Sequence, residues 1–155
     1  MSHLIDVAMA FAKEAHSQQK RKYTEGSYFD EHLMPVMNMV SVHTQDPEIL
    51  IAALLHDVIE DTSVTFSEVE EEFGNRVALL VGELTSVFTS GAYPYLNRQE
   101  RKHLEAMRLA HISPDAKLIK RADIASNIAS IVTHDPGFAV VYLREKATQL
   151  ERILE

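Results

Sequence analysis

The chain contains no cysteine, so disulfide bonds, thiolate metal sites and cysteine nucleophiles are excluded. It has no apolar run long enough to span a bilayer, and its N-terminus lacks the basic and then apolar segments of a signal peptide. We therefore expect a cytoplasmic protein with no membrane partner. Basic residues are also in deficit, with 15 Lys and Arg against 23 Asp and Glu. The resulting net charge of −8 argues against nucleic-acid binding, which needs a basic face.

The acidic charge does not exclude a small polyanionic ligand, provided that a local basic patch and a metal ion overcome the repulsive background. Three groups of basic residues offer such a patch: Lys20-Arg21-Lys22, Arg98 with Arg101-Lys102, and Lys117, Lys120 and Arg121. Each group fits a solvated helix face equally well, which is the commoner role of clustered charges.

With 155 residues and 46% hydrophobic content, the chain has the size of one globular domain, residues 1–155, with a proper core. Apolar residues recur at three- and four-residue spacing throughout, and no segment alternates as a strand does. The pattern predicts helices over about 4–18, 31–42, 49–59, a short one between Thr65 and Gly74, then 77–88, 97–112, 113–133 and one from 135 to near the C-terminus. The expected fold is a compact all-α domain.

Several helix starts carry specific signals. Thr65 and Glu68 form a capping-box pattern, and Ser113-Pro114 and Asp135-Pro136 each place a capping side chain before a proline in the first turn. The oligomeric state is open at this point, because the apolar face of the last helix would serve to close the core or to pair with a second copy. That face consists of Val140, Leu143, Ala147, Leu150 and Leu154.

The most informative segment is His56-Asp57-x-x-Glu60-Asp61, which directly follows the apolar residues 52–55. Burying an ionised carboxylate without a partner is costly, so one imidazole and three carboxylates at the end of a buried helix indicate metal binding or acid–base chemistry. The alternative is a helix C-terminus whose carboxylates simply face water.

Two adjacent ligands, His56 and Asp57, do not complete a metal site, so others must come from elsewhere in the chain. His32 lies at the start of the second helix, and Asp123 lies on an otherwise apolar helix stripe. Nitrogen and oxygen ligands without thiolate favour Mn²⁺, with Zn²⁺, Fe²⁺ and Co²⁺ as alternatives. Taken singly, His32 fits a capping or surface residue and Asp123 fits a partner of Lys120. Spacing alone does not distinguish His32 from His16.

The whole pattern resembles the HD-domain metal-dependent phosphohydrolases, and within them the hydrolase domain of the RelA/SpoT alarmone enzymes and their small stand-alone, animal-type relatives. The matches extend over nearly the whole chain, and the string from His56 to Asp61 is the most specific of them. The matching segments are 18–22, Tyr28 with His32, 53–62, 73–74, 118–123 and Asn127. The resemblance implies a helical bundle with the metal site at its centre.

Carried over residue by residue, the resemblance implies three sets of site residues. The metal ligands would be His32, His56, Asp57 and Asp123; the catalytic carboxylates would be Glu60 and Asp61; and the substrate contacts would be Arg21, Lys22 and Asn127. The implied reaction is Mn²⁺-dependent hydrolysis of guanosine 3′,5′-bis(diphosphate), or of the pentaphosphate, to GDP or GTP plus pyrophosphate. Which of the two carboxylates is the general base is not determined.

The chain departs from the family pattern at three places. Glu31 adds an acid beside His32, and the proline that usually precedes this histidine is absent. The residues after Asp123 are Ile124-Ala125-Ser126, without the usual basic residue, and Ser86 stands where the family has a phosphate-facing lysine. These changes leave the ligand set intact but keep other substrates open.

Three alternatives follow. One is an HD-type phosphohydrolase acting on another nucleotide, such as a dinucleotide with a 2′-phosphate. Another is a nucleotide-binding sensor without turnover, although the presence of every ligand and both carboxylates argues against it. The last is a helical interaction module with no ligand, which would show exposed apolar patches beyond those needed for a core.

Overall fold

The structure, a computed structural model, describes residues 3–155, so the first two residues of the predicted domain lie outside it. The all-α prediction is confirmed, since the described residues form helices and a single isolated bridge between Lys20 and Ser27. A π-helical turn, Phe29–Leu33, separates the first two α-helices. The helices are α1 His3–Ala15, α2 Met34–Ser41, α3 Pro47–Leu55, α4 Val58–Asp61, α5 Phe66–Phe73, α6 Asn75–Leu84, α7 Arg98–Leu109, α8 Pro114–His134 and α9 Pro136–Leu154. None of them combines the length and apolar content needed to cross a bilayer.

The predicted helix starts form as the sequence indicates. Thr65 and Glu68 make a reciprocal capping box at α5, and Asn97 and Glu100 make a second one at α7. The Ser113 hydroxyl accepts a hydrogen bond from the Ala116 amide, and the Asp135 carboxylate accepts one from the Phe138 amide. These side chains satisfy amides that lack partners within the helix, which fixes where α5, α7, α8 and α9 begin.

Helix α3 is the centre of the fold. All seven residues from Ile49 to Leu55 are buried, and the helix packs against α1, α2, α6 and α8. A helix that is apolar all round must lie in a core, because it has no face to offer to water. Whatever follows Leu55 therefore starts from the interior of the protein, and this is where the His56–Asp61 segment begins.

Several predicted boundaries were wrong, and three of them have a local reason on the surface of the fold; the early end of the third helix at Leu55 belongs to the metal centre. The first helix ends at Ala15 because the chain then turns back through the Lys20–Ser27 bridge. The second begins at Phe29, two residues early, as a π-helical turn. The helix predicted over 77–88, which is α6, stops at Leu84 because Thr85 is extended. The backbone amides that follow Thr85 donate hydrogen bonds to glutamate side chains instead of continuing the helix.

The face that α9 turns inward also differs from expectation. The structure buries a stripe made of Ala139, Lys146, Gln149 and Ile153. Val140, Leu143 and Leu154, which we expected on the apolar face, are exposed. A lysine on the buried side of α9 is a feature that the sequence pattern did not predict.

Candidate metal centre and cleft

A break between α3 and α4 places His56 and Asp57 side by side. His56 directly follows α3 and keeps helical backbone angles, and Asp57 comes next with φ −103° and ψ 0° before α4 begins at Val58. The sequence predicted one continuous helix to Ile59, in which adjacent side chains point about 100° apart. The break brings His56 Nε2 to 3.0 Å from Asp57 Oδ2. Both side chains can therefore face one ion.

His32 reaches the same point from the π-helical turn. The extra residue of a π turn rotates the side chains that follow it, and such turns are frequent at functional sites. The ring of His32 is fully buried, with Nε2 3.2 Å from His56 Nε2 and 3.1 Å from Asp123 Oδ1. Asp123 comes from the middle of α8. Residues that are far apart in the chain thus meet behind the end of α3.

Hydrogen bonds on the far side of each imidazole orient the two histidines. His56 Nδ1 lies 2.7 Å from the carbonyl oxygen of Ala53, which can only accept, so this nitrogen carries the proton. In the neutral ring, the form that binds a metal ion, Nε2 then has the free lone pair. Without a metal ion, Asp57 and Asp123 outweigh burial and raise the pKa of His56 well above its usual range, so Nε2 also carries a proton. His32 Nδ1 lies 2.9 Å from the hydroxyl of Ser126. Partners of this kind fix the ring orientation of metal-binding histidines.

The two aspartates are also held in place and kept ionised. Burial opposes ionisation, but the neighbouring His56 and His32 keep the pKa of Asp57 well below its usual range. For Asp123, burial is likewise outweighed by the Lys120 ammonium 2.9 Å away, which holds its pKa low. The phenol of Tyr28 donates to Asp57 Oδ2 at 2.6 Å. The site therefore offers two negative charges.

These four residues fit a divalent cation. One ligand atom from each of His32, His56, Asp57 and Asp123 lies within 4.8 Å of the others. Two imidazole nitrogens and two carboxylates without thiolate form a mixed set that suits Mn²⁺, Fe²⁺, Co²⁺ or Zn²⁺. Every ligand also has an outer partner, as metal-binding side chains generally do.

Two carboxylates, Glu60 and Asp61, follow the cluster. Asp61 lines a cleft together with Gln19 and Val64, and Glu60 is exposed beside it. Glu60 Oε1 accepts a hydrogen bond of 2.8 Å from the backbone amide of Ser86. Asp61 Oδ2 accepts one of 3.2 Å from the side-chain amide of Gln19. Partial desolvation in the cleft, and next the negative charge of Asp57, raises the pKa of Asp61 to about 6. Both carboxylates still contact solvent, as groups that act on a bound ligand must.

Gln19 is held in turn by His16, the histidine that spacing alone does not distinguish from His32. Its Oε1 lies 2.7 Å from Nδ1 of His16, so the amide group must turn its NH₂ toward Asp61. His16 is buried, and its Nε2 has no hydrogen-bond partner among the described residues. His16 is therefore a support for Gln19 rather than a member of the ligand cluster.

The three predicted substrate contacts separate into two groups. Arg21 is buried and donates from Nη1 to Asn127 Oδ1 at 3.0 Å, while Asn127 Nδ2 donates to Asp123 Oδ1 at 3.0 Å. Arg21 and Asn127 thus adjoin the metal cluster. Lys22 is exposed, with its ammonium over the rings of Tyr23 and Phe138, and no contact joins it to the described ligand cluster.

Basic residues from three helices form a cationic wall, defined as Lys102 of α7, Lys120 of α8 and Lys146 of α9. Lys146 is 8% exposed, and its ammonium donates to Gln149 Oε1 at 3.0 Å. Burial, followed by the charges of Lys120 and Lys102, lowers the pKa of Lys146 to about 8. Burial and then Arg98 lower the pKa of Lys102. Positive charge is therefore crowded beside Asp123.

The sequence identified two of the three lysines of this wall as members of basic groups. Lys102 and Lys120 belong to two of the basic groups noted in the sequence, whereas Lys146 was not singled out. Its signal was available, since Lys146 occupies the same helical face as Ala139 and Ile153. Ser126 was also missed: it lies three residues after Asp123 and therefore one helical turn away on the same face.

Comparisons with known proteins find relatives over most of the chain. The chain is 39% identical over 130 residues to the guanosine-3′,5′-bis(diphosphate) 3′-pyrophosphohydrolase MESH1 of Xenopus tropicalis, covering 83% of this chain and 69% of the relative. It is 39% identical over 126 residues to the Homo sapiens protein of the same name, covering 80% and 67%.

A solved structure shares the fold over nearly the full length. It is described as a metazoan ortholog of SpoT that hydrolyzes ppGpp and plays a role in starvation responses. The two align with a TM-score of 0.86 and 32% identity, covering 99% of this chain and 86% of the other. The sequence profile of the HD domain matches residues 8–148. The resemblance inferred from the sequence is thus confirmed, and the chain belongs to the HD domain family.

Proposed function

We propose that this protein hydrolyses guanosine 3′,5′-bis(diphosphate), and the corresponding pentaphosphate, to GDP or GTP plus pyrophosphate. The observation that carries the proposal is that the pair Glu60 and Asp61 and the cationic wall both lie beside the ligand cluster, close enough for their charges to interact with those of the ligands. Relatives that share 39% of the aligned residues carry the name of this activity. One HD-type domain, residues 1–155, would contain the whole site.

We propose Mn²⁺ as the ion, held by His32, His56, Asp57 and Asp123, with Zn²⁺, Fe²⁺ and Co²⁺ as alternatives. When bound, a divalent ion would supply Lewis-acid chemistry here, making water a better nucleophile and the phosphoryl group under attack more electrophilic. Ser126 and the carbonyl group of Ala53 keep the two imidazoles turned toward that position.

Glu60 and Asp61 supply the proton chemistry in this proposal. One of them orients the attacking water and accepts its proton, as a positioned carboxylate does in general base catalysis. The water oxygen bonds to the phosphorus attached to the ribose 3′ oxygen, and the bond between that phosphorus and the 3′ oxygen breaks. The 3′ oxygen then takes up a proton, so the products are a nucleotide with a free 3′-hydroxyl and pyrophosphate.

The cationic wall and the Arg21–Asn127 pair serve to bind the polyphosphate. Lys102 and Lys146 bring positive charge to the side of the cleft next to Asp123, within a protein whose net charge is −8. Positive side chains that are already in place stabilise charge on phosphoryl groups without further reorganisation. The wall thereby compensates for the family lysine that is replaced by Ser86.

Analysis of products from a substrate panel tests the proposal. Purified protein with Mn²⁺ is given guanosine tetraphosphate, guanosine pentaphosphate, GTP and a dinucleotide bearing a 2′-phosphate, and the products are separated by ion-exchange chromatography. We expect GDP and GTP from the first two, with pyrophosphate in equal amount. Release of phosphate from the dinucleotide, with intact tetraphosphate, would assign the cleft to another nucleotide. Tight binding of tetraphosphate without any product would assign it to a sensor.

A further inference from the structure

Three consecutive backbone amides after α6 bond to two glutamates from different parts of the chain. The Ser86 amide donates to Glu60 Oε1 at 2.8 Å. The next two amides, of Val87 and Phe88, both donate to Oε1 of Glu105, at 2.6 and 2.8 Å. The segment 86–88 is therefore a bridge of backbone between Glu60 at the mouth of the cleft and Glu105 on α7.

Glu105 is built to hold this segment firmly. Its side chain is buried, and Arg108 donates to Glu105 Oε2 from Nε at 3.0 Å and from Nη2 at 2.9 Å. Burial would raise the pKa of Glu105, but the Phe88 amide and next Arg108 outweigh it, so the carboxylate stays ionised. Charge-assisted hydrogen bonds of this kind are shorter and stronger than those between neutral groups.

Arg108, the partner of Glu105, also binds the end of α6. Its Nη1 donates to the carbonyl oxygen of Glu83 at 2.7 Å, just before the helix ends at Leu84. The arginine and Glu105 thus fix both the start of the loop and its middle. The position and direction of the intervening Ser86 amide follow from these two anchors.

We propose that Glu105 is a positioning residue for Glu60, acting through the backbone amide of Ser86. This rests on the proposed role of Glu60 in hydrolysis. Glu60 is exposed, and a long exposed carboxylate samples several rotamers unless a partner selects one. The hydrogen bond from the Ser86 amide selects one rotamer of Glu60. Glu105 fixes the position of that amide through the neighbouring amides of Val87 and Phe88. The residue at position 86 then contributes its backbone to the site, in place of the side chain that the family has there.

Kinetics of Glu105→Leu and Glu105→Gln, each in the wild-type and the Glu60→Gln background, test the coupling. Glu105→Leu removes the acceptor, whereas glutamine retains an oxygen for the amides. We expect Glu105→Leu to lower kcat by about tenfold with little change in KM or bound metal, and glutamine to restore most of the loss. In the Glu60→Gln background, the leucine substitution should cost no further activity. Equal losses in both backgrounds would show a general structural role and overturn the proposal.

Glu68→Leu is the matched control, because Glu68 also accepts from a backbone amide, that of Thr65, but its hydrogen bonds are made with Thr65 and not with Glu60 or the segment 86–88. It should leave kcat unchanged. A second readout, hydrogen exchange at the Ser86 amide, does not depend on turnover. We expect this exchange to be at least tenfold faster in Glu105→Leu than in wild type. Unchanged exchange would overturn the coupling. Failure of the wild type to cleave tetraphosphate would instead overturn the proposed function, and the exchange rate would still decide the role of Glu105.

Discussion

The Nε2 atoms of His32 and His56 lie 3.2 Å apart, and each ring is anchored at its opposite nitrogen. In His56 the anchor is a carbonyl oxygen, so the nitrogen that faces His32 has a free lone pair. Ser126 allows the same arrangement for His32, since a hydroxyl group can accept as well as donate. When both rings are neutral, these two lone pairs repel each other unless a cation or a proton lies between them. Without a metal ion, Asp57 and Asp123 outweigh burial and raise the pKa of His56 well above its usual range. The two histidines together with the two aspartates are therefore the clearest sign of a metal centre.

The first prediction concerns the aspartates of the cluster. Asp57→Asn and Asp123→Asn should each abolish metal binding and hydrolysis together, because each removes one of the two negative charges that hold the cation. Metal content after dialysis, measured by mass spectrometry, and pyrophosphate release are the two readouts. Asp6→Asn, an exposed change on α1, is the control and should keep both. Hydrolysis at the wild-type rate in Asp57→Asn would remove this residue from the site.

The second prediction concerns the outer partner of His32. Ser126→Ala deletes the hydroxyl 2.9 Å from His32 Nδ1 and should weaken metal binding about 10- to 100-fold. Excess metal should recover most of kcat, because the ligands themselves remain. Metal titrations of activity measure both effects. Ser130→Ala, one turn further along α8, is the matched control. An unchanged titration in Ser126→Ala would mean that the hydroxyl does not orient the ring.

The third prediction separates the two cleft carboxylates from the metal ligands. Glu60→Gln and Asp61→Asn should retain bound metal, and the substitution of the general base should lower kcat by roughly 100-fold or more. The other should have a smaller effect, since it loses only a positioning role. Comparing the two kcat values identifies the base. Wild-type kcat in both variants would exclude this pair from the mechanism.

The fourth prediction concerns Lys146 and pH. Its pKa of about 8 means that the ammonium loses its proton as the pH rises through 8, so KM for tetraphosphate should increase above that pH. Lys146→Met should raise KM at pH 7 and make it less sensitive to pH. Lys13→Met, on the exposed face of α1, should change neither. A pH profile of KM that is the same in Lys146→Met and wild type would place this lysine outside the binding site.

Lys146 should also make the free energy of unfolding depend on pH, so that the fold becomes more stable in the same pH range in which substrate binding becomes weaker. Its pKa is lower in the folded state than its ordinary 10.5, so the unfolded chain binds more protons between pH 8 and 10.5. Stability should therefore rise across that window, by up to about 3 kcal/mol from this group. Lys146→Met should be more stable than wild type at pH 7 and lack this rise, as measured by urea unfolding. A destabilised variant at pH 7 would contradict the account.

The sequence predicted the helical fold, and it indicated that the segment from His56 to Asp61 follows a buried helix, because both features depend on local pattern. The choice of His32 depended on the family resemblance, since spacing alone does not distinguish it from His16, whereas Asp123 was noticeable as a carboxylate on an apolar helix stripe. The break after Leu55 and the early end of α6 could not be predicted. The α6 boundary depends on Glu105, whose amide partners lie 17 and 18 residues away in the chain. Contacts of that range are decided by packing, which local propensity does not contain.

The most direct test of the account is a Mn²⁺ titration of metal-free protein with guanosine tetraphosphate as substrate. Pyrophosphate release should rise in proportion to bound ion and saturate at one ion per chain, with GDP as the other product. The Asp57→Asn variant should release none at any concentration. Pyrophosphate release that is independent of metal, or that persists in Asp57→Asn, would contradict the central claim that this cluster is the catalytic centre.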